Sequence, residues 1–132
     1  MQIVDNKVLI VRTRRPHLIT DVIKKSAVVN QEEDVYEVAV NWGLEEAQQL
    51  AKMRVKNVPS TIERDYDWTG KLKPFAHQKL TASFLTLNPK SFCFNEQGTG
   101  KTASAIWAAD FLMKQGLVRR VLVLCPLSIM KA

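Results

Sequence analysis

With 132 residues, 46% of them apolar, and a formal charge of +6, the chain is long enough for one ordinary domain, or for a small module attached to part of a larger one. No apolar run approaches the roughly 20 residues that span a bilayer, and Cys93 and Cys125 sit in apolar strand-like runs, where they read as small buried thiols rather than a disulfide or a metal site. The charge is uneven: residues 1–70 carry ten Lys/Arg against eleven Asp/Glu, and residues 71–132 carry nine against two, so the second part presents a field that favours polyanions.

In chain order, Gln2-Ile-Val4 and Lys7-Val-Leu-Ile-Val-Arg12 are β-rich runs around Asp5-Asn6, which predicts a first hairpin closed off by Pro16. A short helix is expected from Thr20-Asp21, with Val22-Ile23 facing inward. Ala27-Val-Val29 and Val35-Tyr-Glu-Val-Ala-Val40 flank the acidic Gln31-Glu-Glu-Asp34 and read as a second hairpin ended by Trp42. Leu44, Ala47, Leu50 and Ala51 then recur at helical spacing through Met53, with charges and amides between them. Residues 1–60 thus form a small α+β module that should be marginal alone and lean on its neighbour. The stretch from Asn57 to Gly70 has no period and many turn formers, and residues 61–70 are expected to be a linker.

From Pro74 the pattern turns helical through Leu80, Phe84, Leu85 and Leu87 to a stop at Asn88-Pro89, and Ser91-Phe-Cys-Phe94 reads as a buried strand. A helix over Ala103 to Gln115 should end at Gly116, and Arg119-Arg-Val-Leu-Val-Leu-Cys-Pro126 has the continuous β character of a parallel-sheet centre. Residues 71–132 therefore predict the opening of an α/β nucleotide-binding domain.

Between the strand and the helix stands Asn95-Glu-Gln-Gly-Thr-Gly-Lys-Thr102, where glycines precede Lys-Thr as in a phosphate-binding loop. Gly98 and Gly100 let the backbone curl its N–H groups around an anion, Lys101 can reach the β- and γ-phosphates, and the Thr102 hydroxyl can ligate Mg²⁺. Gln97 and Thr99 complete the loop, and ATP with Mg²⁺ is the expected ligand. The first glycine of the general pattern is replaced by Asn95, so the match to that pattern is partial.

Three stretches, taken in order, resemble the ATPase core of superfamily-two helicases, and within it the Snf-type DNA translocases and annealing helicases. Lys73-Pro-Phe-Ala-His-Gln78 looks like the adenine-reading Q motif, Phe94 to Thr102 like motif one, and Val121-Leu-Val-Leu-Cys-Pro-Leu-Ser128 like motif Ia. Their spacing matches too. The resemblance implies a partial RecA-like P-loop domain over residues 71–132, with Gln78 reading adenine, Lys101 and Thr102 as catalytic residues and Thr102 on the metal. Against it stand plainer roles: Gln78 as a solvated helix position, Phe75, Trp107 and Phe111 as core, and His77 as a surface or packing residue. The order strand, Trp42, amphipathic helix is similar to the HARP domain ahead of annealing-helicase motors, thought to grip branched or single-stranded DNA; the alternative is a structural cap.

The resemblance places the Asp-Glu pair of motif two and the second-lobe arginines outside these residues, so the chain is expected to bind ATP without efficient hydrolysis. It is expected in the cytoplasm of a bacterium or phage-infected host, binding DNA weakly and with self-association through the edges of strands 92–94 and 121–124. A non-catalytic module that holds nucleotide, DNA or a protein partner is the competing expectation.

Overall fold

The computed structural model describes residues 1–68, 71, 73–93 and 100–127, and in them the chain is a mixed α/β structure with one four-stranded antiparallel sheet and five helices. Strands β1 (Gln2–Val4), β2 (Val8–Thr13), β3 (Ser26–Glu32) and β4 (Val35–Asn41) lie in the order β1-β2-β4-β3. Both hairpins form where the sequence placed them. Asp5 and Asn6 take φ of +52° and +53°, the paired left-handed conformation that matches a two-residue turn to the twist of its strands. In the second, Glu32 pairs with Val35 across the Glu33-Asp34 turn, and Val29 is the extra residue where the register shifts between Val28 and Asn30.

Helix α1 (His17–Thr20) ends where a helix was expected to begin: Pro16 opens it, since a fixed φ suits a first turn, and Ile19 and Ile23 are the residues buried, whereas Val22 is exposed. Alternation along β2 and β4 sends Leu9, Val11, Val38 and Val40 to one face, where they pack with Ile19, Ile23, Trp42 and Leu50. Helix α2 (Leu44–Lys52) supplies Leu50 to this core, and its Leu44 and Ala47 enter a second core with Ile62, Tyr66, Ala82, Trp107 and Phe111. One short amphipathic helix is therefore held from two sides.

The stretch expected to be an aperiodic linker contains helix α3 (Ile62–Asp65), and Ser60, Thr61 and Ile62 are at most 1% exposed. Side chains that satisfy backbone groups explain this: the Trp42 indole N–H donates to Pro59 O at 3.0 Å, and the Ser60 and Thr86 hydroxyls share a buried hydrogen bond of 2.6 Å. Arg64 secures the junction. Its Nε and Nη2 fork onto the Asp65 carboxylate, Nη1 donates to Asn6 O at 2.7 Å and Trp42 O at 2.9 Å, and the guanidinium lies 4.9 Å from the Trp42 ring centroid.

Helices α4 (Ala76–Leu87) and α5 (Lys101–Lys114) pack together. The face that α4 buries is Ala82, Ser83, Thr86 and Leu87, while Leu80 and Phe84 are exposed. Thr86 is interior because Ser60 and Gln48 both hydrogen-bond to it, the latter at its carbonyl, 2.9 Å away. The two strands expected in the second half do not form among the described residues: 91–93 and 119–126 are irregular, Phe92 and Leu122 to Leu124 are largely exposed, Cys93 is half-buried and Cys125 exposed. A strand needs a ladder partner for its N–H and C=O groups, and among the described residues neither segment joins the sheet, whose order is β1-β2-β4-β3.

The fork and the ring stacking of Arg64 are available only to a guanidinium. Arg64→Lys is expected to lose most of what Arg64→Ala loses, about 2–3 kcal/mol for charge-assisted bonds at a part-buried site. Urea unfolding of the two variants checks this; wild-type stability in the lysine variant would refute it.

Candidate nucleotide site

The residues singled out by the sequence fall on two elements that meet. Gln78 stands in the first turn of α4, half-buried, and its Oε1 accepts the Phe75 backbone N–H at 2.9 Å, closing the helix start. Its amide group lies against Gly100. A Cβ built on Gly100 would overlap Gln78 Nε2 and lie 3.1 Å from its Cδ, so only glycine permits this approach. Gly100 also has φ +75°, the left-handed region that a side chain disfavours, and this is the stricter demand for glycine, since the Gln78 amide is the movable end of its side chain.

Gly100 is the residue from which α5 departs. Its carbonyl accepts the Ser104 N–H at 3.1 Å and the buried Ser104 hydroxyl at 3.2 Å. Lys101 and Thr102 are the first two residues of this fourteen-residue helix, with Lys101 half-buried and Thr102 exposed. The N–H groups and dipole of a helix's first turn favour an anion, and Lys101 and Thr102 stand at that turn. Gln97, Gly98 and Thr99, with Phe94, Asn95 and Glu96, lie outside the described residues. What is described suits a phosphate ligand: a left-handed glycine turn, then Lys-Thr at a helix start. A metal there would be held by Thr102 and phosphate oxygens, and no group of three or more His, Cys, Asp or Glu suited to a metal ion is present among the described residues.

Phe75, which could have been core, is 67% exposed and stacks on the exposed His77, with centroids 5.8 Å apart and planes 9° from parallel. Trp107 and Phe111 are core, at 9% and 1% exposure. They belong to an aromatic ladder that the sequence did not reveal, because Tyr66 and Trp68 stand in the supposed linker. Tyr66 meets Trp68 and Phe111 edge-on at 5.0 and 6.0 Å, Trp68 meets Trp107 at 5.5 Å, and Lys79 Nζ lies 5.5 Å from the Trp68 ring. The ladder fixes α5, and so the helix end that carries Lys101, against α4 and α3. The closeness of Tyr66 and Trp68 to Phe111 and Trp107 of α5 had no periodic signal in the sequence.

The Tyr66 hydroxyl donates to Asp110 Oδ2 at 2.7 Å, and Lys114 Nζ is 3.3 Å from the same oxygen. Burial, then the Asp110 carboxylate, push the Tyr66 phenol up to about 12. The Tyr66 hydrogen bond, opposed by burial and aided by Lys114, holds the Asp110 carboxyl below its ordinary range. A scan against protein-family models, a search of curated proteins and a search of solved structures each returned no match for the chain.

Two outcomes follow from this geometry. Gly100→Ala forces a left-handed alanine against Gln78 and is expected to cost about 1–2 kcal/mol, more if Gln78 cannot move aside. Thermal melting that leaves this variant at wild-type stability would refute the close approach. The phenol of Tyr66 is raised on folding, so its contribution is complete below about pH 10, the unfolded value, and lost as pH rises through about 12. Tyr66→Phe should be about 1 kcal/mol less stable near neutrality and should lack this alkaline loss; an identical alkaline profile in both proteins would count against the Tyr66–Asp110 bond.

Proposed function

We propose that the chain is the N-terminal portion of an ATP-dependent DNA helicase or translocase, with residues 71–132 as the first part of a RecA-like P-loop lobe. It holds Mg²⁺·ATP between Gln78 of α4 and the loop that enters α5. The observation that carries this reading is the packing of the Gln78 amide on Gly100, which joins the adenine-reading motif and the phosphate-loop motif at one place. Lys101 neutralises the β- and γ-phosphates, Thr102 takes the metal, Gln97, Gly98, Thr99 and Gly100 cradle the phosphates with backbone N–H groups, and Gln78 orients the adenine. A Mg²⁺ held by Thr102 would offset the charge of the phosphates.

Binding and hydrolysis separate in this proposal. Positioning and charge stabilisation of a phosphoryl group require an acidic pair to order water and arginines from a second lobe, and the residues assigned here supply neither. DNA is the polymeric partner, attracted by the net +7 of residues 71–132 (nine Lys/Arg against two Asp/Glu). Self-association through 119–125 remains part of the proposal, since Val121 to Leu124 are exposed. No helix among the described residues is long and apolar enough to cross a membrane.

Isothermal titration with ATP and ADP tests the site. Weak, Mg²⁺-dependent binding that Lys101→Ala abolishes is expected, with ATP turnover at background whether or not DNA is present. Equal affinity in the wild type and Lys101→Ala would remove the phosphate-loop assignment, and steady turnover lost in Lys101→Ala would remove the separation of binding from hydrolysis.

A further inference from the structure

A cleft of about 470 Å³ opens between the turn that follows α2 and the outer side of α4, and it shares no residue with the nucleotide site. Val55, Leu80 and Phe84 make its apolar wall, and Asn57, Ser60 and Asn88 supply polar atoms. Leu80 is 65% exposed and Phe84 46%, so an aliphatic and an aromatic side chain are open to whatever enters. Both segments that form the cleft are poor in carboxylates: Lys52, Arg54 and Lys56 lie between Glu46 and Glu63 with no acid among them, and Lys71, Lys73, Lys79 and Lys90 lie between Asp67 and Glu96 with none. Glu63 itself lines the cleft, and its Oε1 accepts the Ser83 hydroxyl at 3.1 Å. Lys52, Arg54 and Lys56 alternate with the cleft-lining Ala51, Val55 and Asn57, are exposed, and form no ion pair among the described residues.

Arg54 carries an independent observation. Its N–H reaches Ala51 O at 3.0 Å, the Val55 N–H reaches Leu50 O at 3.1 Å, and its φ is +62°. This is the Schellman end of α2, at the position where glycine is favoured because other residues are strained in the left-handed region. The helix dipole accounts for Lys52 in the last turn. It does not account for arginine in place of glycine, nor for Lys56 beyond the turn.

We propose that this cleft binds a single strand of nucleic acid, with its phosphates on Lys52, Arg54 and Lys56 and a base against Phe84. The polyanion matches the unpaired cations, and a space of this size with an aromatic wall suits unpaired bases held without regard to sequence. The inference rests on the nucleic-acid part of the function proposed above and adds to it a binding path built from α2, its following turn and α4.

Anisotropy titration of a labelled oligothymidylate against the full chain, at several salt concentrations, tests it. Wild type should bind with an affinity that falls linearly with salt on logarithmic axes, and each cation removed should reduce the slope by about 0.7. Phe84→Ala should weaken binding by roughly fivefold or more. Arg54→Gly is the decisive variant: it relieves the backbone, so its melting temperature should hold or rise while oligonucleotide affinity and salt slope fall. No binding by the wild type at low salt, wild-type slopes in both Arg54→Gly and Lys52→Ala/Lys56→Ala, or a polyglutamate peptide that competes as well as the oligonucleotide would each overturn the proposal. Calorimetry with Mg²⁺·ADP on the same variants keeps the two sites apart. Retained nucleotide binding with lost oligonucleotide binding supports the cleft, and absence of nucleotide binding in every protein, wild type included, would fall on the phosphate loop alone.

Discussion

The burial of α2 from two sides is the constraint on which the rest of the structure depends. A nine-residue helix is too short to persist in water by propensity, so it exists because Leu50 is taken up by the sheet and Leu44 and Ala47 by the α3–α4–α5 side. The sheet is in the same position. Four strands with one covered face make a small core, and the cover is α1 and α2. Residues 58–66 close the remaining gap with polar stitches, of which Ser60–Thr86 and the Arg64 fork are the most directional. The Thr61 hydroxyl is buried there with no hydrogen-bond partner among the described residues.

From that arrangement follows the placement of the candidate site. Because α4 is fixed by Thr86 and Leu87 at its end, its first turn carries Gln78 to Gly100, and the aromatic ladder from Tyr66 to Trp107 holds α5 in register beside it. A helix start can position a ligand only if the helix is held in place, and Tyr66 and Trp68 hold α5 through Phe111 and Trp107. The N-terminal module is thereby tied mechanically to the site through α2, although no N-terminal residue reaches Gln78 or Lys101 in the contacts described.

How much of this was legible in the sequence differs by region for physical reasons. The hairpins and α2 were readable because period-two and period-3.6 patterns, and the Asp5-Asn6 pair, are local signals. The turn at Gly100 ahead of α5 was readable because few residues other than glycine take that backbone. The buried face of α4 was not legible: Ser83 and Thr86 are interior because Ser83 donates to Glu63 and Thr86 is hydrogen-bonded by Gln48 and Ser60, partners far off in sequence. The supposed linker was misread for the same reason, since the value of Tyr66 and Arg64 lies in partners forty-four and fifty-eight residues away. The segments 91–93 and 119–126 have strand composition but join no sheet among the described residues, and composition alone does not make a ladder.

Native-state amide exchange tests the shared role of α2 most directly. If one helix joins both cores into a single cooperative unit, the slowest amides of β2 and β4, at Leu9, Val38 and Val40, should open with the same free energy as those of α4 and α5, at Ala82 and Phe111, and Leu50→Ala should lower both sets together. A sheet whose amides open at a clearly lower free energy than the helix pair, or a Leu50→Ala variant that weakens only the sheet, would contradict it.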